Sequence, residues 1–172
     1  MSGNGDRIAM EIVGVRVELP SNTPIVLLRE RAGTRYLPIW IGAPEAQAIA
    51  AALEGIDPPR PQTHDLLRLV VETLGAEVDR VDVVELRNNI YYADLVMKRA
   101  GESFHLSSRP SDAIALAVRA QAPVYVATQV LTDAGIEIPE NSEEEEIERF
   151  RELLEDVTVE DFLKEEEGDP GA

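Results

Sequence analysis

The sequence predicts an α+β domain, a mostly antiparallel sheet with helices, followed by a C-terminal acidic helix. Three observations lead there. Short stretches of alternating apolar residues come in threes around hairpin turns before a helical pattern takes over. That order, three strands and then a helix, occurs twice. The last residues, 140–172, differ in composition from everything before them.

From the N-terminus, residues 8–19 alternate roughly, with Val13, Val15, Val17 and Leu19 in phase and Ile12 out of it, which predicts a half-buried strand. Residues 20–24 make a turn between two prolines. Residues 25–31 and 36–41 follow as two strands around Ala32-Gly33. Pro44 stands at a helix's first position, and Ala46, Ile49, Ala50 and Leu53 mark one face before Gly55 stops it. In Asp57-Pro58-Pro59-Arg60-Pro61 each proline pushes its predecessor toward extended geometry, so no helix crosses it. Thr63 is the expected N-cap of a second helix. Leu66, Leu67, Val70, Val71 and Leu74 give that helix one apolar face, up to Gly75. Strands at 77–86, 90–97 and 103–106 lead into a helix from Pro110 to about Gln121, and residues 123–127 form a short last strand.

The two halves resemble each other. Arg31-Ala32-Gly33 and Arg99-Ala100-Gly101 both sit at hairpin turns. Ile39, Ile41 and Ala48-Ile49-Ala50 match Phe104, Leu106 and Ala113-Ile114-Ala115 at a constant offset of 65. A duplicated three-strand-plus-helix unit is the reading, with a three-residue gap between the triplet and helix matches.

At 172 residues the chain has the length of one domain, and its 44% hydrophobic and 28% charged residues are ordinary for a globular fold. With no cysteine, disulfides, thiolate zinc sites and cysteine nucleophiles are excluded. No apolar run reaches membrane-span length and the first residues lack a signal peptide's apolar stretch, so a cytoplasmic protein with no membrane partner is expected. The net charge of -17 is uneven. Residues 140–172 hold 15 acidic and 3 basic residues, a net of -12, which leaves the body, residues 1–139, at -5. The tail forms a separate unit. Ser142 with Glu145 is a capping box, Ile147, Phe150, Leu154 and Val157 form a narrow helical stripe, and the end from Gly168 is expected to be disordered.

Polar residues gather at three helix starts: Gly42 to Glu45, Arg60 to Asp65, and Ser107 to Asp112. Unpaired N–H groups and the positive dipole end favour a phosphate there, and Arg60 and Arg109 add bidentate donors. His64 with Asp65, or Asp112 with Glu45, suit a general base or an oxygen-ligand site for a divalent cation. Plainer roles compete. Asp112 and Asp65 each stand where an acidic side chain caps a helix, Arg109 suits a cross-fold carboxylate, and His64 suits a helix-start hydrogen bond. His105 reads as structural. Ser111 is a nucleophile only within reach of His64, and no phosphate-loop, dinucleotide or zinc-ligand pattern occurs.

These segments resemble the bifunctional nuclease family, a domain of bacteria and plants described as having DNase and RNase activity. The resemblance lies in Leu37-Pro38-Ile39-Trp40-Ile41-Gly42 with Glu45-Ala46 and Ala48-Ile49, in Pro59-Arg60-Pro61-x-Thr63-His64-Asp65-Leu66, in Tyr91-Tyr92-Ala93, and in Arg109-Pro110-Ser111-Asp112-Ala113-Ile114-Ala115-Leu116-Ala117. It covers residues 8 to 135. It implies a nuclease cleaving DNA and RNA, assisted by magnesium or manganese. His64, Asp65, Arg109 and Asp112 are the catalytic candidates, Arg60, Ser111 and Glu45 the substrate-binding ones, and Asp65 and Asp112 the metal pair. Many members carry an aspartate where this chain has Ser107, which puts metal binding and activity in question here.

The alternative function is a regulatory module that binds a nucleotide, small anion or protein partner in the same pocket. The body's mild negative charge and the lack of aromatic-basic interleaving favour it. Two further expectations follow from packing. Alanine-rich helices and several short strands leave surface for a homo-oligomer, most simply a dimer. The segment 142–157 is expected to fold as a helix docked on its own domain or on a neighbouring subunit, since an isolated helix of that length is marginal in water.

Overall fold

The computed structural model describes residues 6–138. Strands β1 (Arg7–Glu18), β2 (Thr23–Glu30) and β3 (Arg35–Trp40) form an antiparallel meander closed by helix α1 (Ala43–Leu53). After α2 (Thr63–Thr73), strands β4 (Glu77–Arg87), β5 (Ile90–Arg99) and β6 (Glu102–Ser108) form a second meander closed by α3 (Pro110–Ala120). The chain then adds β7 (Val124–Ala127), α4 (Thr128–Ala134) and β8 (Ile136–Glu137). The three-strands-then-helix order thus recurs, with α2 inserted in between.

Both meanders join one eight-stranded sheet in the order β6-β5-β4-β7-β1-β2-β3-β8. The short β7 is the seam: it runs parallel to β4 and antiparallel to β1. All other pairings are antiparallel. On one face, α1 packs on α3 and α3 on α2. There Val26, Leu28, Leu37, Val81, Val83 and Leu95 of the sheet meet Ile49, Ile114 and Leu116 of the helices, all buried.

Three local differences from the sequence reading have physical causes. A bulge between Ile12 and Gly14 resets the alternation of β1, so Ile8, Met10 and Ile12 face the core before it and Val15 after it. Val17 and Leu19, expected in phase with the core, lie beyond the bulge and are exposed. The N-cap of α2 is Gln62 rather than Thr63, because the Asp65 carboxylate accepts the Gln62 N–H at 2.9 Å. The third difference is the largest: of the apolar face of α2 only Val71 is buried, while Leu66, Leu67, Val70 and Leu74 stay 39–61% exposed. The acidic helix at 142–157, with its capping box and stripe, lies outside the described residues. Among the described residues no helix is long and apolar enough to cross a membrane.

Candidate active site at three helix starts

The chain enters α1 and α3 in the same way. Gly42 and Arg109 hold extended N-cap geometry, each followed by a proline in the first helical turn that fixes the entry direction. Gly42 leaves room for the Glu45 carboxylate, since a Cβ there would fall 2.3 Å from Oε2. α2 starts beside them, so three helix N-termini present Glu45, His64, Arg109 and Asp112 to one another.

These four side chains form a connected chain. His64 Nε2 lies 3.1 Å from Asp112 Oδ1. Arg109 Nε donates to Asp112 Oδ2 at 2.7 Å, and its Nη2 donates to Glu45 Oε1 at 3.1 Å. The Arg109 side chain is 67% exposed whereas the His64 side chain is only 10% exposed, so the chain runs from solvent into the protein. Burial pushes the Asp112 carboxyl up, but hydrogen bonds from Arg109 and His64 outweigh it and hold its pKa below the ordinary value. The same contacts with Asp112, and then Glu45, raise the pKa of Arg109.

The other candidates are placed differently. Asp65 joins a second arginine: Arg119 Nε donates to its Oδ1 at 2.6 Å, while Oδ2 serves the helix cap. Burial raises the Asp65 carboxyl, yet Arg119 and the Gln62 N–H bring it below its ordinary pKa. The capping role therefore holds for Asp65, whereas both oxygens of Asp112 face side chains. Arg60 is exposed in the loop before α2, with no ion pair among the described residues. Ser111 is buried in the first turn of α3, and His64 Nε2 is directed at Asp112 instead. His105 is half exposed, with Nδ1 4.0 Å from Asp94 on the far side of the sheet. Ser107 shares that far side: its neighbour Ser108 lines the helix-side groove with Asp112, and adjacent strand residues point to opposite faces. A side chain at position 107 thus stands away from the Asp112 network.

Of the metal pair expected from sequence, each carboxylate is held by an arginine of its own, Asp65 by Arg119 and Asp112 by Arg109. Among the described residues no group of three or more histidine or carboxylate side chains is arranged to hold a metal. Glu45 and Asp112 do fit in part, since both close on one cation, the Arg109 guanidinium. Two carboxylates are the protein share magnesium accepts when phosphate oxygens and water complete its shell.

Residues 26–139 match the bifunctional nuclease domain. The chain belongs to the bifunctional nuclease domain family. That match includes every residue of the site. A Mycobacterium tuberculosis protein described as uncharacterized is 46% identical over 161 residues, covering 89% of this chain and 96% of its own. Bifunctional nuclease 1 of Oryza sativa subsp. japonica is 30% identical over 117 residues, 66% of this chain and 35% of its own. Bifunctional nuclease 2 of Arabidopsis thaliana is 30% identical over 128 residues, 70% of this chain and 38% of its own. Only a little over a third of each of these two plant proteins therefore corresponds to this bifunctional nuclease domain.

Sequence reasoning missed Arg119. Its signal was there to be read: an arginine on a helix otherwise apolar on its inner face, needing a buried acid. The link from Glu45 to Arg109 spans 64 positions; the sequence suited Arg109 to a cross-fold carboxylate without naming which one.

Proposed function

We propose that the domain is a nuclease that hydrolyses phosphodiester bonds in DNA and RNA, and that Glu45, His64, Arg109 and Asp112 carry the reaction. One observation supports this most: an exposed arginine held between two carboxylates, with a shielded histidine behind. A phosphate arriving at the three helix starts draws Arg109 outward and receives its bidentate N–H groups, which stabilise the charge that grows in the transition state. Glu45 and Asp112 would then hold a magnesium or manganese ion, which polarises the phosphate and acidifies water when bound. Asp112 keeps its contact with His64 Nε2 and orients the ring. His64 delivers a proton to the leaving oxygen through Nδ1 as the bond from that oxygen to phosphorus breaks. Water's oxygen forms the new bond to phosphorus and releases its proton to the solvent. Arg60, exposed in the loop before α2, adds charge for the strand backbone.

The second reading is a binding module for a nucleotide, small anion or protein partner at the same place. The body's net charge of -5 favours it, since it offers a nucleic-acid backbone little long-range attraction. Incubating the purified full chain with single- and double-stranded DNA and with RNA, in magnesium or manganese and again in EDTA, separates the two. Cleavage that EDTA stops and Arg109→Ala lowers at least 10-fold is expected. Intact strands under every condition overturn the nuclease reading in favour of the module.

A further inference from the structure

Helix α2 and strand β6 leave an open apolar groove of about 370 Å³ between them. Leu67, Val70 and Leu74 line one wall and Phe104 and Leu106 the other, each 39–61% exposed. Asp112 and Ser108 close one end. Scattered exposed apolar residues are normal, but a contiguous patch of this kind marks a surface made to be covered.

We infer that a second copy of this chain covers it, with β6 pairing to β6 of the partner in antiparallel fashion. β6 is the outermost strand of its side of the sheet, so its outer N–H and C=O groups lack a ladder partner among the described residues. Two identical strands related by a two-fold axis pair antiparallel, which makes the edge self-complementary. That pairing brings the groove walls of both copies together over the same axis. The exposed parts of these side chains amount to on the order of 500 Å² per subunit, and the strands themselves bring the contact near the roughly 800 Å² per partner of a standard interface.

This inference stands whether or not the domain is a nuclease. Light scattering on the full chain at micromolar concentration is expected to return about 38 kDa, twice the 18.9 kDa of one chain. Leu106→Glu with Phe104→Glu is expected to return the single-chain mass while the far-UV spectrum and cooperative melting persist. The absence of native cysteine allows a direct second measurement. Single cysteines placed in turn at 103, 105 and 107 should give one position that forms an intersubunit disulfide on mild oxidation, and a cysteine at 137 on β8 should not. A single-chain mass for the unmodified protein overturns the inference, and so does a dimer that survives both glutamates or is trapped through position 137.

Discussion

Ile39 and Ile41, on and just after β3, and Phe104 and Leu106 on β6 occupy matching places in two half-domains with the same element order, yet their surroundings are opposite. Ile39 and Ile41 are 2% and 9% exposed, whereas Phe104 and Leu106 are 44% and 54% exposed. The first half is finished by later elements: β8 pairs with β3 and α4 packs on it. Past β6 the described chain supplies nothing. The polar site divides the same way. Counted from the N-caps Gly42 and Arg109, the residue that matches Asp112 is Glu45, and the first half has a glycine where the second has its arginine. The closed half gives stability and one carboxylate, Glu45. The open half holds the rest of the site and the uncovered groove.

Two substitutions test that division. Ile39→Ala, in the closed half, should cost about 3 kcal/mol and lower Tm by about 6–12 °C in thermal melts. Phe104→Ala should cost under about 1 kcal/mol in dilute protein, and more as concentration rises and the groove becomes covered. Equal costs at every concentration would break the comparison.

Next in size is a loss of function. Asp112→Asn should slow strand cleavage by about 100-fold, close to 2.7 kcal/mol of barrier, while leaving stability within about 1 kcal/mol. Gln47→Ala, at an exposed position of α1, should change neither rate nor melting. If Asp112→Asn melts early and still cleaves, the residue only secures the start of α3.

The smallest effect concerns α2, which belongs to the open half alone and is fastened to α3 by Asp65 and Arg119. Asp65→Asn should lose about 2 kcal/mol at neutral pH, the worth of a charge-assisted hydrogen bond. The folded pKa of Asp65 lies below its ordinary value, so this stabilisation is full above about pH 4 and fades as pH falls through the folded pKa. Chemical denaturation from pH 7 down to pH 3 should therefore show wild type and variant converging. A constant gap would mean that the lost contact is geometric rather than ionic.

Much of this architecture was legible in the residues. Alternation and the turn triplets placed six strands and the short run after Pro123 a seventh, while prolines at the starts of α1 and α3 and the apolar face of α2 placed three helices. α4 escaped because seven residues give no periodic signal, and β8 because two residues give none at all. For the site, sequence located the three helix starts, grouped Asp112 with Glu45 and suited Arg109 to a cross-fold carboxylate, but did not say which side chain meets which. His64 and Asp65 are neighbours in the chain, yet a helix turns consecutive side chains about 100° apart, so one meets Asp112 and the other Arg119. No local pattern distinguishes those two destinations. The apolar face of α2 was read correctly as a face, but periodicity cannot say whether a face is covered by the same chain.

The seam strand β7 also constrains the order in which a ribosome can finish this protein. β1 and β4, separated by some 70 positions, do not pair with each other; four residues near position 125 stand between them. Until those residues leave the exit tunnel, a nascent chain carries two finished hairpin sheets, each with a bare inner edge. The sheet therefore closes only after both halves and β7 have emerged, and the pairings across the seam form after those within each meander.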